Sequence, residues 1–320
     1  MRCLIIGSTG PIGAAVIAAL EKVGHAAFGL SRSAPADGDG GQAHLIADRS
    51  DPQSILAAIR AHRIDTVIDM IVYTEDETAD LVNALDGAVA RYTMISSCDV
   101  YRNYGLLLRR ETGEPVREPM TEDAPLRQSR FPYRGDTARA ADDPERWRDD
   151  YDKIPTEAAV RRFSGEWTIL RLPMVYGPGD RQHRFRWVIA PMLAGVETLT
   201  VPTAWADWIT SYGYIDNVAA AIASAAVHRD ATNTIFNIGD YPAESHRHWV
   251  TRFAQAIGWT GALEIGPAPE SPLAQVIAAL NLDVPLTISS GRLSERLRFA
   301  PPVPLDEAIA RTIAAERAQL

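Results

Sequence analysis

After Met1-Arg2 the chain runs Cys3-Leu4-Ile5-Ile6-Gly7-Ser8-Thr9-Gly10-Pro11-Ile12-Gly13, an apolar tetrad followed by three glycines spaced three apart. A short apolar run of this kind suits a strand buried on both faces. Ala14-Ala15-Val16-Ile17-Ala18-Ala19-Leu20 continues as a helix with a broad apolar face, closed by Gly24. Strand, glycine turn and helix together make a phosphate cradle. The first glycine permits the tight turn and the second lets a pyrophosphate approach the backbone. The third lets helix and strand pack closely, and the helix N-terminus offers free N–H groups at the positive end of its dipole. A dinucleotide is therefore expected here, lined by Gly7, Thr9, Gly10, Pro11, Ile12 and Gly13.

The composition fits an ordinary soluble globular protein of one large or two smaller domains. The 320 residues are 46% hydrophobic and 23% charged. The formal net charge of −9 makes nucleic acid and anionic membrane surfaces poor partners. Cys3 and Cys98, the only cysteines, form no readable disulfide framework, and no metal-ligand spacing stands out. The N-terminus is already a strand, so no signal peptide is read, and no long apolar run suggests a membrane span. The cytoplasm is the default location. Only two lysines occur, Lys22 and Lys153, among 32 basic residues. Lys22 ends the first helix, where a cation suits the dipole. Lys153 has no such simple explanation.

Strand and helix signals alternate: Ala26–Leu30, a helix from about Asp51 to His62, Thr66–Ile71, a helix from about Glu75 to Asp86, then Tyr92–Ser96. Alternation of this kind predicts an α/β, doubly wound parallel sheet covered by helices on both faces. The end of the second strand chooses between the nicotinamide cofactors: an acid there binds ribose hydroxyls of NAD, an arginine accommodates the 2′-phosphate of NADP. Leu30-Ser31-Arg32-Ser33 has no acid at that point, so Ser31 and Arg32 favour NADP over NAD. Asp37 and Asp39 lie too deep in the loop Pro35–Gly41 to replace it.

The glycine spacing resembles the extended short-chain dehydrogenase/reductase family, often called NAD-dependent epimerase/dehydratases. The resemblance recurs along the chain. Ala47-Asp48-Arg49-Ser50-Asp51 resembles the family's adenine-contacting segment, which points to Asp48; a plain helix cap is the other reading. Ser96-Ser97-Cys98-Asp99-Val100-Tyr101 looks like the catalytic serine/threonine segment. Carried over by position, Ser97 hydrogen-bonds the reacting oxygen. In the dehydratase branch the next two positions are acidic; here they are Cys98 and Asp99, which leaves Asp99 as a candidate base or as a loop brace. Residues 102–150 form a long insertion, in which Arg102-Asn103-Tyr104 and Arg130-Phe131-Pro132-Tyr133-Arg134 could face substrate.

The family pattern Tyr-x-x-x-Lys, with a glutamate four residues on, falls at Asp149-Asp150-Tyr151-Asp152-Lys153-Ile154-Pro155-Thr156-Glu157. Lys153 and Glu157 align. The tyrosine does not: Asp149 stands four before the lysine and Tyr151 only two before. On a helix, residues two apart point to different faces. If the helix instead begins at Pro155, Tyr151 and Lys153 lie on extended chain and share a side. Tyr151 is then the acid/base; otherwise the catalytic tyrosine is lost.

Trp167–Arg171 reads as a strand, and Leu172-Pro173-Met174-Val175-Tyr176-Gly177-Pro178-Gly179 resembles the segment that passes the nicotinamide, which adds Pro173 and Val175 to the cofactor site. Tyr212–Ala219, Phe236–Gly239 and Leu305–Thr312 resemble the family's later motifs. The resemblance implies a Rossmann domain at 1–171, completed by about 212–240, with a substrate lobe at 172–211 and 241–320. It implies hydride transfer between nicotinamide and a carbonyl or alcohol, with Lys153 on the nicotinamide ribose. Nucleotide-sugar epimerases of the family carry a diphosphate-gripping arginine where Thr210 stands, so a nucleotide sugar is not expected. Arg181, Arg184 and Arg186 either compensate for that arginine or lie on a solvated helix face, and the face is favoured; His183 is read as structural or exposed rather than catalytic, and Trp187, Trp205 and Trp208 as core or pocket wall. A non-catalytic NADP-binding regulator and an RNA-binding atypical member are the alternatives, and a homodimer is compatible with all of these.

Overall fold

A computed structural model describes residues 1–33, 43–240, 242–267 and 272–320. Seven parallel strands form the central sheet: β1 (Arg2–Ile6), β2 (Ala26–Ser31), β3 (Ala43–Ile46), β4 (Thr66–Asp69), β5 (Arg91–Ser97), β6 (Glu166–Leu172) and, after the four short strands introduced below, β11 (Thr234–Asn237). Their order is β11-β6-β5-β4-β1-β2-β3, so the winding reverses between β1 and β4. Ligands of open α/β sheets bind at such a reversal, outside the carboxyl ends of the strands. The doubly wound parallel sheet expected from the alternating pattern is present.

Helices cover both faces. On one, α1 (Pro11–Lys22), α8 (Ile215–Val227) and α11 (Gly291–Leu297) bury Val16, Leu20, Ile222 and Leu293 against Cys3, Ile5 and Leu170. On the other, α2 (Pro52–His62), α3 (Glu75–Leu85) and α5 (Lys153–Val160) bury Ile55, Leu81 and Val160 against Leu4, Ile6 and Ile169. Consecutive residues of β1 thus feed opposite cores, which is why an unbroken apolar tetrad is needed. Asp51 caps α2 by accepting from the N–H groups of Gln53 and Ser54, with Pro52 in the first turn.

Some elements differ from expectation. α1 starts at Pro11 rather than Ala14, because Pro11 fits the first helical position. β4 stops at Asp69, since its carboxylate takes the Ile71 N–H at 2.9 Å and turns the chain out of the sheet. β3 was not legible in sequence: it is an edge strand of four residues, too short for a period to show.

The lobe beyond β6 contains β7 (Met174–Tyr176), α6 (Arg186–Leu193), β8 (Thr198–Pro202), α7 (Thr203–Asp207), β9 (Ile209–Thr210), β10 (Tyr212–Tyr214), β12 (Glu244–Ser245), α9 (His246–Ile257), β13 (Ala262–Gly266), α10 (Pro272–Ala279) and α12 (Leu305–Arg317). Tyr176, Phe185, Tyr212, Trp249 and Phe253 make its aromatic core. A smaller apolar cluster joins this lobe to the sheet through Val100, Tyr101, Trp208, Leu286 and Ile288. The insertion holds α4 (Arg102–Leu107) and a single helical turn at Arg146–Asp149, and is otherwise irregular. Among the described residues no helix is long and apolar enough to cross a membrane.

Candidate active site

The glycine turn sits at the carboxyl end of β1. Gly7 has φ +87°, a conformation side chains rarely adopt, and a Cβ there would come within 2.7 Å of Ile71. A Cβ on Gly13 would stand 2.6 Å from the Gly7 carbonyl oxygen, so helix and turn touch backbone to backbone. The Ser8 hydroxyl is buried there and has no hydrogen-bond partner. A cradle that tolerates no side chain, with an orphaned donor inside it, fits a phosphate-bearing cofactor. Arg181 reaches in from the far side, its guanidinium 3.5 Å from the Thr9 carbonyl oxygen.

At the neighbouring strand ends a polar cluster assembles. Ser97 ends β5 and its hydroxyl accepts the Asp99 N–H at 3.2 Å, which starts the single turn Cys98–Val100. That turn buries the Asp99 carboxyl, whose Oδ2 accepts two phenols, Tyr151 and Tyr133, each at 3.0 Å. Burial pushes Asp99 above the ordinary carboxylate range, against Arg127 and the Tyr151 hydrogen bond, which lower it. The Tyr151 phenol is driven well above the tyrosine range by its own burial and then by the Asp99 charge, while the neighbouring Ser97 hydroxyl pulls the other way.

Lys153 closes the cluster. Its ammonium donates to the carbonyls of Val72 at 2.5 Å, three residues past β4, and Ile95 at 2.8 Å, within β5. It lies 5.4 Å from the centre of the Tyr151 ring and 5.5 Å from that of Tyr73. Burial holds its pKa down to about 8, with Asp99 the first group opposing that fall.

The displaced tyrosine is accommodated by the backbone. α5 begins at Lys153, two residues before Pro155, and not at Pro155 as expected. Asp152 is extended (φ −157°, ψ 111°) and caps the helix by accepting the Ile154 N–H at 3.2 Å. Pro155 falls within the first turn, where a missing N–H costs nothing. Tyr151 is therefore outside the helix, and the helical rule against residues two apart does not apply to it. Asp149, at the position where the family tyrosine belongs, is buried under Arg139 and Arg146 and takes no part in the cluster.

A family model matches residues 3–239, that of the NAD dependent epimerase/dehydratase family. The chain belongs to this family. A 3-diazoavenalumate denitrifying reductase from a Streptomyces species is 27% identical over 322 residues, covering 94% of each chain. The chloroplast stem-loop binding protein of 41 kDa b from Arabidopsis thaliana is 24% identical over 251 residues, 74% of this chain and 58% of that protein. Among solved structures, the Thermus thermophilus UDP-glucose 4-epimerase complex with NAD superposes with a TM-score of 0.67 at 19% identity, covering 100% of both chains.

For an epimerase/dehydratase chain, several predicted site residues are already engaged. The Ser31 hydroxyl donates to the Ser33 carbonyl at 2.6 Å. Asp48 accepts the N–H and hydroxyl of Ser50 at 2.9 and 2.8 Å, which hold its pKa down, with Arg32 close enough to add to the effect. Arg32 itself is exposed at the rim. Asp37, Asp39 and the loop Pro35–Gly41 lie outside the described residues. Pro173 lines the approach of Gly213 and Gly239, and Val175 packs in β7 with its carbonyl taking Arg184. Burial pushes the Cys98 thiol far up, so it stays a thiol. Among the described residues no group of three or more His, Cys, Asp and Glu side chains could hold a metal.

The solvated face read for the arginines after Gly179 is corrected: Arg184 pairs with Asp180 and Arg186 with Glu316, and only Arg181 is exposed. His183 bonds Glu316 at 2.9 Å, a structural contact. Trp205 and Trp208 flank His246 within the lobe. Thr210 is buried and donates to the Leu286 carbonyl at 3.2 Å.

Sequence reasoning missed a second buried network below the cluster. Glu157 accepts Ser96 at 2.6 Å and is clamped by Arg171 through both carboxylate oxygens, at 2.9 and 2.7 Å. Arg171 also reaches Tyr101 at 3.1 Å, and Tyr101 donates to Asn237 at 2.6 Å. One chain of hydrogen bonds thus ties α5, β5, β6 and β11 together. The available signal was an arginine within the apolar run Ile169–Leu172 that ends β6.

Proposed function

We propose that the protein is an NADP-dependent oxidoreductase of the extended short-chain type, working as a reductase on a small organic substrate that is not a nucleotide sugar. The observation that carries this is the meeting of Ser97, Asp99, Tyr151 and Lys153 at the carboxyl ends of β4 and β5, beside the glycine turn. When bound, the cofactor supplies a hydride; the chain orients the substrate and moves the proton.

In this reading Ser97 holds the reacting oxygen. Tyr151 gives or takes its proton, exchanging it with Asp99. Lys153 uses its remaining N–H toward the nicotinamide ribose, and its charge offsets that of Asp99. Gly7, Thr9, Gly10, Pro11, Ile12 and Gly13 take the pyrophosphate, Asp48 faces the adenosine, Pro173 and Val175 flank the nicotinamide, and Arg32 beside Ser31 takes the 2′-phosphate. The name of the Streptomyces relative, a reductase, supports the reducing direction. Thr210, buried and without charge, supports exclusion of a diphosphate at that point; the UDP-sugar enzyme shares the fold at 19% identity.

The test is a panel of carbonyl compounds with NADPH fluorescence as readout, run beside UDP- and dTDP-sugars. Turnover of a panel member, lost in Tyr151→Phe, is the expected result. Saturable binding and turnover of a nucleotide sugar would overturn the substrate assignment. The Arabidopsis relative is named a stem-loop binding protein, which favours nucleic-acid binding, here taken as RNA, as a second reading. The net charge of −9 opposes it, and salt-dependent capture of a stem-loop RNA would establish it.

A further inference from the structure

Tyr133 enters the cluster from the insertion. Its phenol donates to Asp99 Oδ2 at 3.0 Å, the same oxygen that takes Tyr151 at 3.0 Å, and the two rings meet edge to face with centres 5.1 Å apart. Both protein donors therefore crowd onto one oxygen. The other, Oδ1, is buried and has no hydrogen-bond partner. The segment carrying Tyr133 is pinned to the site at two further points. Arg127 donates to the Asp99 main-chain carbonyl at 2.7 Å, and Arg127 and Arg130 grip the helix cap Asp152 at 2.6 and 2.7 Å.

We propose that Tyr133 is a positioning residue for proton transfer: with Tyr151 it holds one oxygen of Asp99, fixes which carboxyl oxygen is left for substrate, and makes the seated segment 127–134 part of the site. A carboxyl group held by one donor can rotate about its last bond. Held by two donors on one oxygen, it presents Oδ1 in one direction. The inference rests on the oxidoreductase reading above.

The groups facing Asp99 are Cys98 on its own turn, Tyr104 from α4, Arg127 and Tyr133 from the insertion, Tyr151 just before α5 and Lys153 at its first residue. In Tyr133→Phe the ring and every charge stay, and one donor to the carboxylate goes. The ionised form then loses a hydrogen bond, so the Asp99 midpoint rises by about one pH unit, a tenfold change.

The experiment follows Asp99 directly in the full chain, by isotope-edited infrared titration of protein labelled with 13C-aspartate, with Asp99→Asn identifying the band. Tyr133→Phe is expected to raise the midpoint by about one unit. With an active carbonyl substrate, kcat falls while KM holds, and the acid limb of the pH profile moves by the same interval. Arg130→Gln, which loosens the segment without touching Asp99, moves the midpoint the same way by less, and decides the matter if the phenylalanine variant does not fold. An unmoved midpoint in a folded variant overturns the proposal. NADPH titration of the wild-type chain keeps the two ideas apart: absence of binding removes the oxidoreductase reading, whereas an unmoved midpoint with intact NADPH binding removes only the role of Tyr133.

Discussion

Tyr151 and Lys153, two residues apart, meet in one site: the lysine ammonium lies 5.4 Å from the centre of the tyrosine ring. The extended backbone at Asp152 permits this, because the helix begins only at Lys153. The lysine is held between the carbonyls of Val72 and Ile95, and the phenol is held by Asp99.

Tyr151→Phe is expected to lower turnover by a hundredfold to ten-thousandfold, roughly the contribution of a positioned general acid or base, and to leave NADPH affinity nearly unchanged. Lys153→Ala weakens both. Lys153→Arg does not rescue, since a planar fork cannot replace a compact ammonium between the carbonyls of Val72 and Ile95. Steady-state rates and fluorescence titration of the variants check this. Wild-type turnover by Tyr151→Phe would remove the tyrosine from the mechanism.

Arg32 stands exposed at the end of β2, close enough to Asp48 to influence its acidity. If it receives the 2′-phosphate, NADPH binds more tightly than NADH by about tenfold to a hundredfold, the range of a charge-assisted hydrogen bond. Arg32→Ala narrows that ratio toward unity, mainly by weakening NADPH. Equal affinity of the wild-type chain for the two cofactors would refute the assignment.

Much of the fold was legible because local signals agreed with it. The apolar tetrad at Cys3–Ile6, the Asp51-Pro52 start of α2 and the glycine turn each specify one geometry. The site was only partly legible. Ser97 and Lys153 sit in patterned segments, whereas the placement of Tyr151 depends on where a helix starts, which a proline two residues beyond the lysine left ambiguous. Tyr133 was visible only as part of an Arg-rich loop. Its partner Asp99 is 34 residues away, and no period or spacing records a contact of that kind.

The Glu157–Arg171 pair is enclosed on all sides, with side chains 2% and 1% exposed, and it holds Ser96 and Tyr101 as well. Removing one partner leaves a buried charge unpaired. Glu157→Ala is expected to cost about 3–5 kcal/mol in urea unfolding. Arg171→Ala costs a comparable amount, and the double variant less than the sum, because the two residues act as one unit. Additive losses would mean that the pair is not coupled.

His246 gives the sharpest pH signature. It is 1% exposed, stacked on Trp205 with ring centres 4.1 Å apart, with Nε2 2.8 Å from the Tyr212 hydroxyl and Nδ1 3.1 Å from the Trp205 carbonyl. Burial lowers its pKa to about 4. Between the unfolded value near 6.5 and about 4, the unfolded chain binds a proton that the folded chain refuses. Stability is therefore lost as pH falls through that window, by about 3 kcal/mol from this group. Carboxylates titrate over part of the same range, so the comparison must be between slopes. His246→Gln keeps a polar side chain but cannot titrate. Its unfolding free energy should fall less steeply than wild type from pH 6.5 to 4, whatever its absolute stability. Parallel slopes for the two chains would mean that His246 takes up its proton in the folded state.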